Sequence, residues 1–107
     1  MKKVYLFCSG GMSTSMLAKK MQEAADAHNL PIKVDAFSSS KVSAVMDRDN
    51  PDCLLLGPQV GFMLEDTESR YGEKCPVGVI DSDDYGKLDG ERTLKYAIVL
   101  MKKFAGK

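Results

Sequence analysis

The fold of this chain is constrained most by four short strand-like segments that alternate with four longer segments of helical periodicity. Residues 4–7, 53–56 and 77–80 are continuous runs dominated by apolar side chains, and residues 32–36 alternate between apolar and polar. Continuous runs are typical of strands buried on both faces, and alternation is typical of an edge strand. The repeated strand–helix order predicts an α/β fold with a single open four-stranded parallel sheet, right-handed crossovers and helices on both faces. The expected strand order is 2-1-3-4.

The predicted helices begin and end at local signals. The first starts at Ser13 or Thr14, whose hydroxyls suit an N-cap, and stops at the Asn-Leu-Pro sequence of residues 29–31. A short second helix around Val42, Val45 and Met46 ends near Asn50-Pro51. The remaining helices follow Pro58, which suits a first turn, and a loop over residues 81–90.

Composition excludes several classes of protein. A length of 107 residues fits one domain, and the fifteen basic and fifteen acidic residues cancel, which argues against nucleic acid or an anionic membrane as a partner. No apolar run approaches the roughly 20 residues of a membrane-spanning helix. The apolar stretch that follows the first three residues is too short for a signal peptide. Three cysteines without a CxxC pair indicate a reducing compartment, so we expect a cytoplasmic protein. One histidine and scattered thiols predict no metal site.

The predicted topology nominates one edge of the sheet. In an open parallel sheet of this order, ligands bind beyond the carboxyl ends of strands one and three, where the winding reverses. Residues 8–15 follow the first strand and residues 57–60 follow the third. These two segments are therefore expected to face each other at the active edge.

The loop after the first strand combines a thiol with groups that bind phosphate. Glycines allow a tight turn in which backbone N–H groups converge, and the positive end of the following helix adds to this anion site. A helix N-terminus contributes up to ~2 kcal/mol, and ~1.4 kcal/mol lowers a pKa by one unit, so the Cys8 thiol is expected to ionise more easily. Cys8 is thus the candidate nucleophile for phosphocysteine chemistry. The expected phosphate-binding residues are Ser9, Gly10, Gly11, Met12, Ser13, Thr14 and Ser15.

A simpler interpretation of the same loop stays open at this point. A Gly-Gly pair after a strand can be only a turn, and the Ser-Thr-Ser sequence of residues 13–15 can be only a helix cap.

The absence of an arginine from the loop separates two kinds of phosphocysteine chemistry. Low-molecular-weight tyrosine phosphatases have a similar strand–loop–helix layout, in which an arginine six residues after the cysteine clamps the phosphoryl oxygens for hydrolysis. Here that position is Thr14, and the arginines of the chain are Arg48, Arg70 and Arg92. A loop of backbone and hydroxyl donors favours passing the phosphoryl group on, and weakens the phosphatase and arsenate-reductase interpretations.

Four segments resemble the cellobiose-type enzyme IIB family of bacterial sugar phosphotransferase systems. They are residues 5–17 (YLFCSGGMSTSML), 55–60 (LLGPQV), 79–82 (VIDS) and 85–90 (YGKLDG). The resemblance extends over essentially the whole chain in the right order, and identifies residues 1–107 as a single enzyme IIB domain of the lactose/cellobiose type.

The resemblance implies a relay with two partners. A phosphohistidine on a separate enzyme IIA would donate its phosphoryl group to Cys8, and phospho-Cys8 would donate it to a sugar held by the membrane enzyme IIC. The sugar would be cellobiose, chitobiose or a related β-glucoside. The relay needs no metal or organic cofactor and no membrane insertion of this chain, which we expect to be a monomer that docks transiently.

Other polar residues near the predicted edge have weaker assignments. Gln59 and Tyr85 are candidates for contacting phosphate or a partner. Asp81, Asp83 and Asp84 follow the fourth strand, where a phosphatase would place an acid. We favour loop and capping roles for these carboxylates, because they would repel a phosphothiolate.

The remaining candidates lie away from that edge. His28 is predicted about 13 helical residues beyond the loop, or ~20 Å from Cys8 at 1.5 Å per residue, which excludes a Cys–His pair. A favourable charge near a helix C-terminus explains it better. Cys53 and Cys75 are expected at the opposite edge of the sheet as small buried residues with unreactive thiols.

Two alternative functions follow from the same residues. One is a low-molecular-weight phosphatase or reductase, which would use Cys8 with one of the carboxylates after strand four. The other is a non-enzymatic flavodoxin-like binding domain, in which Cys8 would be unreactive.

Overall fold

Four parallel strands form one sheet in the computed structural model, which describes residues 1–9 and 12–106. The strands are β1 (Lys2–Cys8), β2 (Ile32–Ser38), β3 (Cys53–Leu56) and β4 (Val77–Val79). They lie in the order β2-β1-β3-β4, which confirms the predicted 2-1-3-4 sheet. Because β1 pairs with both β2 and β3, the winding reverses between β1 and β3.

The register of these strands places Cys8 at the edge that the topology nominates. Cys8 is the last residue of β1 and lies opposite Ser38 of β2. On the other side Phe7 lies opposite Leu56, and the Gly57 N–H donates to the Phe7 carbonyl oxygen at 2.8 Å. The segments that follow β1 and β3 therefore leave the sheet side by side.

Five α-helices accompany the sheet. They are α1 (Met12–Ala27), α2 (Val42–Asp49), α3 (Leu64–Tyr71), α4 (Ser82–Gly86) and α5 (Gly90–Ala105). The predicted end of the second helix is confirmed, because Asn50 closes α2 in the left-handed conformation at φ 47°. The helix predicted after Pro58 begins instead as a 3₁₀ segment, Pro58–Met63, which is interrupted at Val60 before α3 starts.

The short helix α4 was not predicted, because residues 81–90 have the polar and glycine-rich composition of a loop. Its start is stabilised by Asp81, whose side-chain oxygen accepts the backbone N–H groups of Asp83 at 2.9 Å and Asp84 at 3.2 Å. An N-cap of this kind satisfies donors that the first turn leaves unpaired. The prediction of a loop was therefore wrong over residues 82–86.

Two apolar layers, one on each face of the sheet, confirm that helices cover both faces. Val4 and Leu6 of β1 point into the layer formed with α1 and α5, and Tyr5 and Phe7 point into the layer formed with α2, α3 and the 3₁₀ segment before it. This alternation follows from the two-residue period of a strand. By the same alternation Cys8 belongs to the face of α1 and α5.

The other two cysteines are buried, as predicted. Cys53 lies in the layer of α1 and α5, and Cys75 lies in the opposite layer. Burial raises the pKa of both thiols, that of Cys75 to about 11, because a thiolate is poorly solvated in an apolar surrounding. Both are therefore held as neutral thiols.

No helix in the described part of the chain is long and apolar enough to cross a membrane.

Candidate functional site

The candidate site is centred on the side chain of Cys8, which is only 1% exposed. Its sulfur is surrounded by side chains from three separate parts of the chain. The thiol donates to Oε1 of Gln59 at 3.3 Å, and Sγ lies 3.7 Å from Oη of Tyr85 and 4.0 Å from Oγ of Ser9. Gln59 is 51 residues away in sequence and Tyr85 is 77 residues away, so tertiary structure alone brings them together.

Gly57 makes this close packing possible. A β-carbon on Gly57 would lie 2.9 Å from the Cys8 sulfur and 3.1 Å from Oε1 of Gln59. Both contacts are closer than such atoms can approach without a shift of the neighbour. The glycine at the exit of β3 is therefore part of the site, because it leaves room for the thiol beside the sheet edge.

Thr14 connects the first turns of α1 to Tyr85. Its side chain is 3% exposed, and its hydroxyl forms a hydrogen bond of 2.9 Å with Oη of Tyr85. Thr14 was predicted among the phosphate-binding residues, but this bond was not, because no local pattern relates residues that are 71 positions apart.

The rest of the predicted phosphate loop is described in part. Ser9 lies beside Cys8, and Ser13 and Ser15 are exposed near the start of α1. Gly10 and Gly11 lie outside the described residues, and Met12 is described only as the first residue of α1.

The position of Tyr85 is determined by α4. Asp81 caps this helix, and Oδ1 of Asp84 accepts from Nε of Arg92 on α5 at 3.0 Å. The Tyr85 side chain is half-buried and packs against the apolar layer of α1 and α5. Two polar contacts and one apolar contact therefore hold the helix that presents the Tyr85 hydroxyl to Cys8.

Two of the three carboxylates after β4 have roles in the fold, and one of these, the cap at Asp81, is of the kind that the sequence favoured. Asp81 accepts backbone N–H groups, and Asp84 pairs with Arg92. Sequence analysis had not linked Arg92 to this segment. Arg92 and Asp84 are eight residues apart and lie on two different helices. Side-chain pairs on a single helix are three or four residues apart, so helical periodicity does not predict this ion pair.

His28 is separated from Cys8. It follows the C-terminal end of α1, a helix of 16 residues that spans ~24 Å, while Cys8 precedes the other end. Its Nε2 lies 3.1 Å from Oε1 of Glu91 on α5, with both side chains more than half exposed. A surface contact between two helices accounts for this histidine.

The described residues contain no cluster of three metal-ligating side chains. The arrangement around Cys8 is a buried thiol with neutral hydrogen-bonding groups beside it, at a sheet edge and close to the start of a helix. A site of this kind can hold a covalent group on sulfur, because neighbouring donors and the helix N-terminus favour negative charge there.

Comparison with known proteins gives consistent results over nearly the whole chain. Residues 3–96 match the family described as the lactose/cellobiose-specific IIB subunit of the PTS system. The chain is 36% identical to the galactose-specific EIIB component of a Lactococcus lactis PTS system over 104 residues, which cover 94% of this chain and 96% of that protein. It is also 36% identical, over 102 residues, to the oligo-beta-mannoside-specific EIIB component of Bacillus subtilis, with 94% and 97% covered.

Two solved structures have the same fold. The solution structure of a cellobiose-specific phosphotransferase IIB component from Borrelia burgdorferi aligns with a TM-score of 0.75 at 33% identity, covering 95% of this chain and 93% of that one. A lactose-specific IIB domain from Streptococcus pneumoniae aligns with a TM-score of 0.78 at 17% identity, covering 92% and 96%, which supports the fold alone.

Proposed function

Because the chain belongs to the lactose/cellobiose-specific IIB family of the phosphotransferase system, we propose that Cys8 carries a phosphoryl group from one partner protein to a sugar bound by a second. The single observation that supports this most is the position of Cys8, buried at the switch point of the sheet with Gln59 and Tyr85 on its sulfur. The donor is a phosphohistidine on enzyme IIA, and the acceptor is a sugar bound by the membrane enzyme IIC.

The proposed chemistry consists of two displacements at phosphorus. In the first, the Cys8 thiolate attacks the phosphohistidine, so that a P–S bond forms while the P–N bond breaks and the imidazole leaves on the donor. In the second, a sugar hydroxyl attacks phospho-Cys8, the P–S bond breaks, and the sulfur leaves as a thiolate. The proton of the hydroxyl passes to a base on the acceptor side. Neither step needs a metal or organic cofactor.

The phosphate-binding role proposed for residues 9–15 follows from their place between β1 and α1. Backbone N–H groups at a helix start and neighbouring hydroxyls are suited to a dianionic group, and they do not need a guanidinium. The three arginines are engaged elsewhere, because Arg48, Arg70 and Arg92 each lie within ion-pair distance of an aspartate.

The proposal extends to substrate, location and assembly. Relatives are named for galactose, oligo-beta-mannoside and cellobiose. In agreement with the cellobiose-specific relatives, we infer a β-linked disaccharide such as cellobiose or chitobiose, or a related β-glucoside. We also infer that residues 1–107 act as one domain in the cytoplasm. We infer a monomer, since a carrier must leave each partner quickly.

The decisive experiment mixes the protein with phosphorylated enzyme IIA and locates the transferred phosphoryl group by mass spectrometry. We expect it on Cys8, and none on the Cys8→Ala variant. Cys75→Ala is a matched control, because it removes a buried thiol from the opposite apolar layer. Label that persists in Cys8→Ala would contradict the proposal.

The phosphatase alternative has its own test. Hydrolysis of an aryl phosphate by the wild-type protein, lost in Cys8→Ala, would favour it. A Cys8 that neither accepts a phosphoryl group nor alkylates faster than a free thiol would favour the non-enzymatic binding domain.

A further inference from the structure

Three side chains form a continuous series of contacts that ends on the reacting sulfur. Thr14 Oγ1 lies 2.9 Å from Tyr85 Oη, and Tyr85 Oη lies 3.7 Å from Cys8 Sγ. Each hydroxyl has one proton to donate. The direction of the Thr14–Tyr85 hydrogen bond therefore determines whether Tyr85 can donate to the sulfur.

The direction follows from the state of the sulfur. If Tyr85 donated to Thr14, its only proton would point away from Cys8. If Thr14 donates to Tyr85, the phenol proton is available to the sulfur, which is the stronger arrangement once the sulfur is a thiolate. Water does not compete for the Thr14 hydroxyl proton in that arrangement, because Thr14 is only 3% exposed.

Two further side-chain contacts of the sulfur, with Gln59 and Ser9, are less suited to a thiolate. Oε1 of Gln59 accepts from the protonated thiol, and in that orientation it would repel a thiolate. Oγ of Ser9 is farther from the sulfur, at 4.0 Å. The Tyr85 hydroxyl is therefore the nearer of the two hydroxyls that these contacts place at the sulfur.

We propose that Tyr85 is a catalytic residue of this site, whose hydroxyl donates to the Cys8 thiolate, and that Thr14 is the positioning residue that donates to Tyr85. In the transfer to the sugar, which rests on the function proposed above, the sulfur takes the electron pair of the breaking P–S bond. The Tyr85 hydrogen bond stabilises that charge and does not transfer its proton. Thr14 thereby acts through Tyr85, so in the phosphate-binding role proposed for residues 9–15 it can contribute its backbone N–H but not its hydroxyl proton.

The anchoring of α4 fits this role. A donor aimed at developing charge is effective when it is already in place before the reaction, because no reorganisation is then needed. The cap at Asp81, the Asp84–Arg92 pair and the packing of the Tyr85 ring supply that rigidity.

The test measures the pH dependence of Cys8 alkylation by iodoacetamide in the purified protein, with the modified residue identified by mass spectrometry. Tyr85→Phe keeps the ring and removes the hydroxyl. We expect it to move the midpoint of the profile upward by about one pH unit, a tenfold change in thiolate stability and near the lower end for a hydrogen bond to a charged group. The midpoint is the measure to use, because a more basic thiolate is also a better nucleophile and partly hides the change in rate.

Thr14 provides a pair of variants that separates positioning from packing. Thr14→Val keeps the shape and loses the hydroxyl, and should move the midpoint in the same direction as Tyr85→Phe. Thr14→Ser keeps the hydroxyl and should leave the midpoint near the wild-type value. Tyr71→Phe is the matched control, because the Tyr71 hydroxyl contacts Ser43 on the opposite face of the sheet.

An unchanged midpoint in Tyr85→Phe would overturn the inference. A shift in Thr14→Ser as large as that in Thr14→Val would overturn the role of Thr14. The experiment uses no partner protein, so it can succeed even if wild-type protein accepts no phosphoryl group from enzyme IIA, in which case only the proposed relay fails.

Discussion

Gly57 and Cys8 are so close that a β-carbon on Gly57 would stand 2.9 Å from the Cys8 sulfur. Cys8 is the last residue of β1 and Gly57 directly follows the neighbouring parallel strand β3, and the backbone hydrogen bond from Gly57 N–H to Phe7 O holds the two chain segments in register. The sulfur thus has room beside β3 because Gly57, the residue directly after that strand, has no side chain.

Gly57→Ala should therefore impair the site more than the fold. We expect the added methyl group to displace the Cys8 sulfur, and phosphoryl transfer from enzyme IIA to fall about tenfold or more, since misplacement of a reacting atom by ~1 Å can cost ~100-fold. The measurement is the rate of Cys8 labelling. Gly86→Ala is the control, because a β-carbon there meets nothing within 4 Å. Equal rates in the two variants would contradict this expectation.

A close approach between α1 and α5 gives a prediction for stability. A β-carbon on Gly90, the first residue of α5, would collide with the backbone of Lys20 and lie 2.7 Å from the Lys20 Cβ. Backbone cannot move aside as a flexible side chain can, so Gly90→Ala should lower the free energy of unfolding by about 1–3 kcal/mol. Urea denaturation measures this, again with Gly86→Ala as the control. A loss no greater than in that control would show that the helices adjust without cost.

Acid should weaken the contacts between α2 and β1. Hydrogen bonds from Arg48 and then from Tyr5 hold the pKa of Asp49 at about 2, below its ordinary value of 3.8. A carboxylate with a lowered pKa stabilises the fold above its unfolded pKa, and this contribution is lost as the pH falls from about 4 to 2.

The variant that tests this is Asp49→Asn. The difference in unfolding free energy between wild type and Asp49→Asn should be largest near neutral pH and should shrink toward zero near pH 2. Urea denaturation at several pH values measures it, and Asp47→Asn, an exposed change on the same helix, serves as control. A difference that does not depend on pH would contradict the assignment.

Burial raises the pKa of Tyr5 to about 12, with the hydrogen bond to Asp49 as the second cause. The neutral phenol is therefore favoured in the folded state, and its contribution is lost as the pH rises from 10 through 12. We expect alkaline ionisation of Tyr5, followed by ultraviolet absorbance, to coincide with loss of stability, and Tyr5→Phe to remove this part of the pH dependence.

Phe62 offers a test of docking. It is 83% exposed and lies in the 3₁₀ segment that begins directly after Gly57, at the edge where we propose that the phosphohistidine donor docks. Aromatic side chains are enriched at interfaces, and the few residues that dominate binding cost more than ~1 kcal/mol when truncated. We expect Phe62 to be such a residue, so Phe62→Ser should raise the KM for enzyme IIA about tenfold, or ~1.4 kcal/mol. Its unfolding free energy should stay within about 0.5 kcal/mol of wild type.

The control for Phe62 is Val99→Ser on α5, where the side chain is also exposed, at 45%. A KM raised equally by both substitutions would indicate a general effect of replacing an exposed apolar side chain with serine. An unchanged KM in Phe62→Ser would exclude this side chain from the interface.

Local periodicity was sufficient to locate the four strands and the helices α1, α2, α3 and α5, and the predicted strand order was confirmed. The continuous apolar run before Cys8 and the spacing of Leu17 and Met21 depend only on neighbours in the sequence, and the handedness of parallel crossovers limits the order of strands. The start of α4 was missed because Asp81 acts through backbone N–H groups two and three residues on, in a segment whose composition also suits a loop.

The sequence by itself determined that this chain is an α/β domain with a thiol at the end of its first strand, beside glycines and hydroxyls that suit a phosphate. Only the tertiary structure decided that Tyr85 reaches that thiol, that Thr14 bonds Tyr85, and that Gly57 leaves space for the sulfur. The physical reason is that patterns along a chain record which face of a strand or helix is buried. Contacts between residues 14 and 85, or between 8 and 57, exist only after separate strands and helices have packed together.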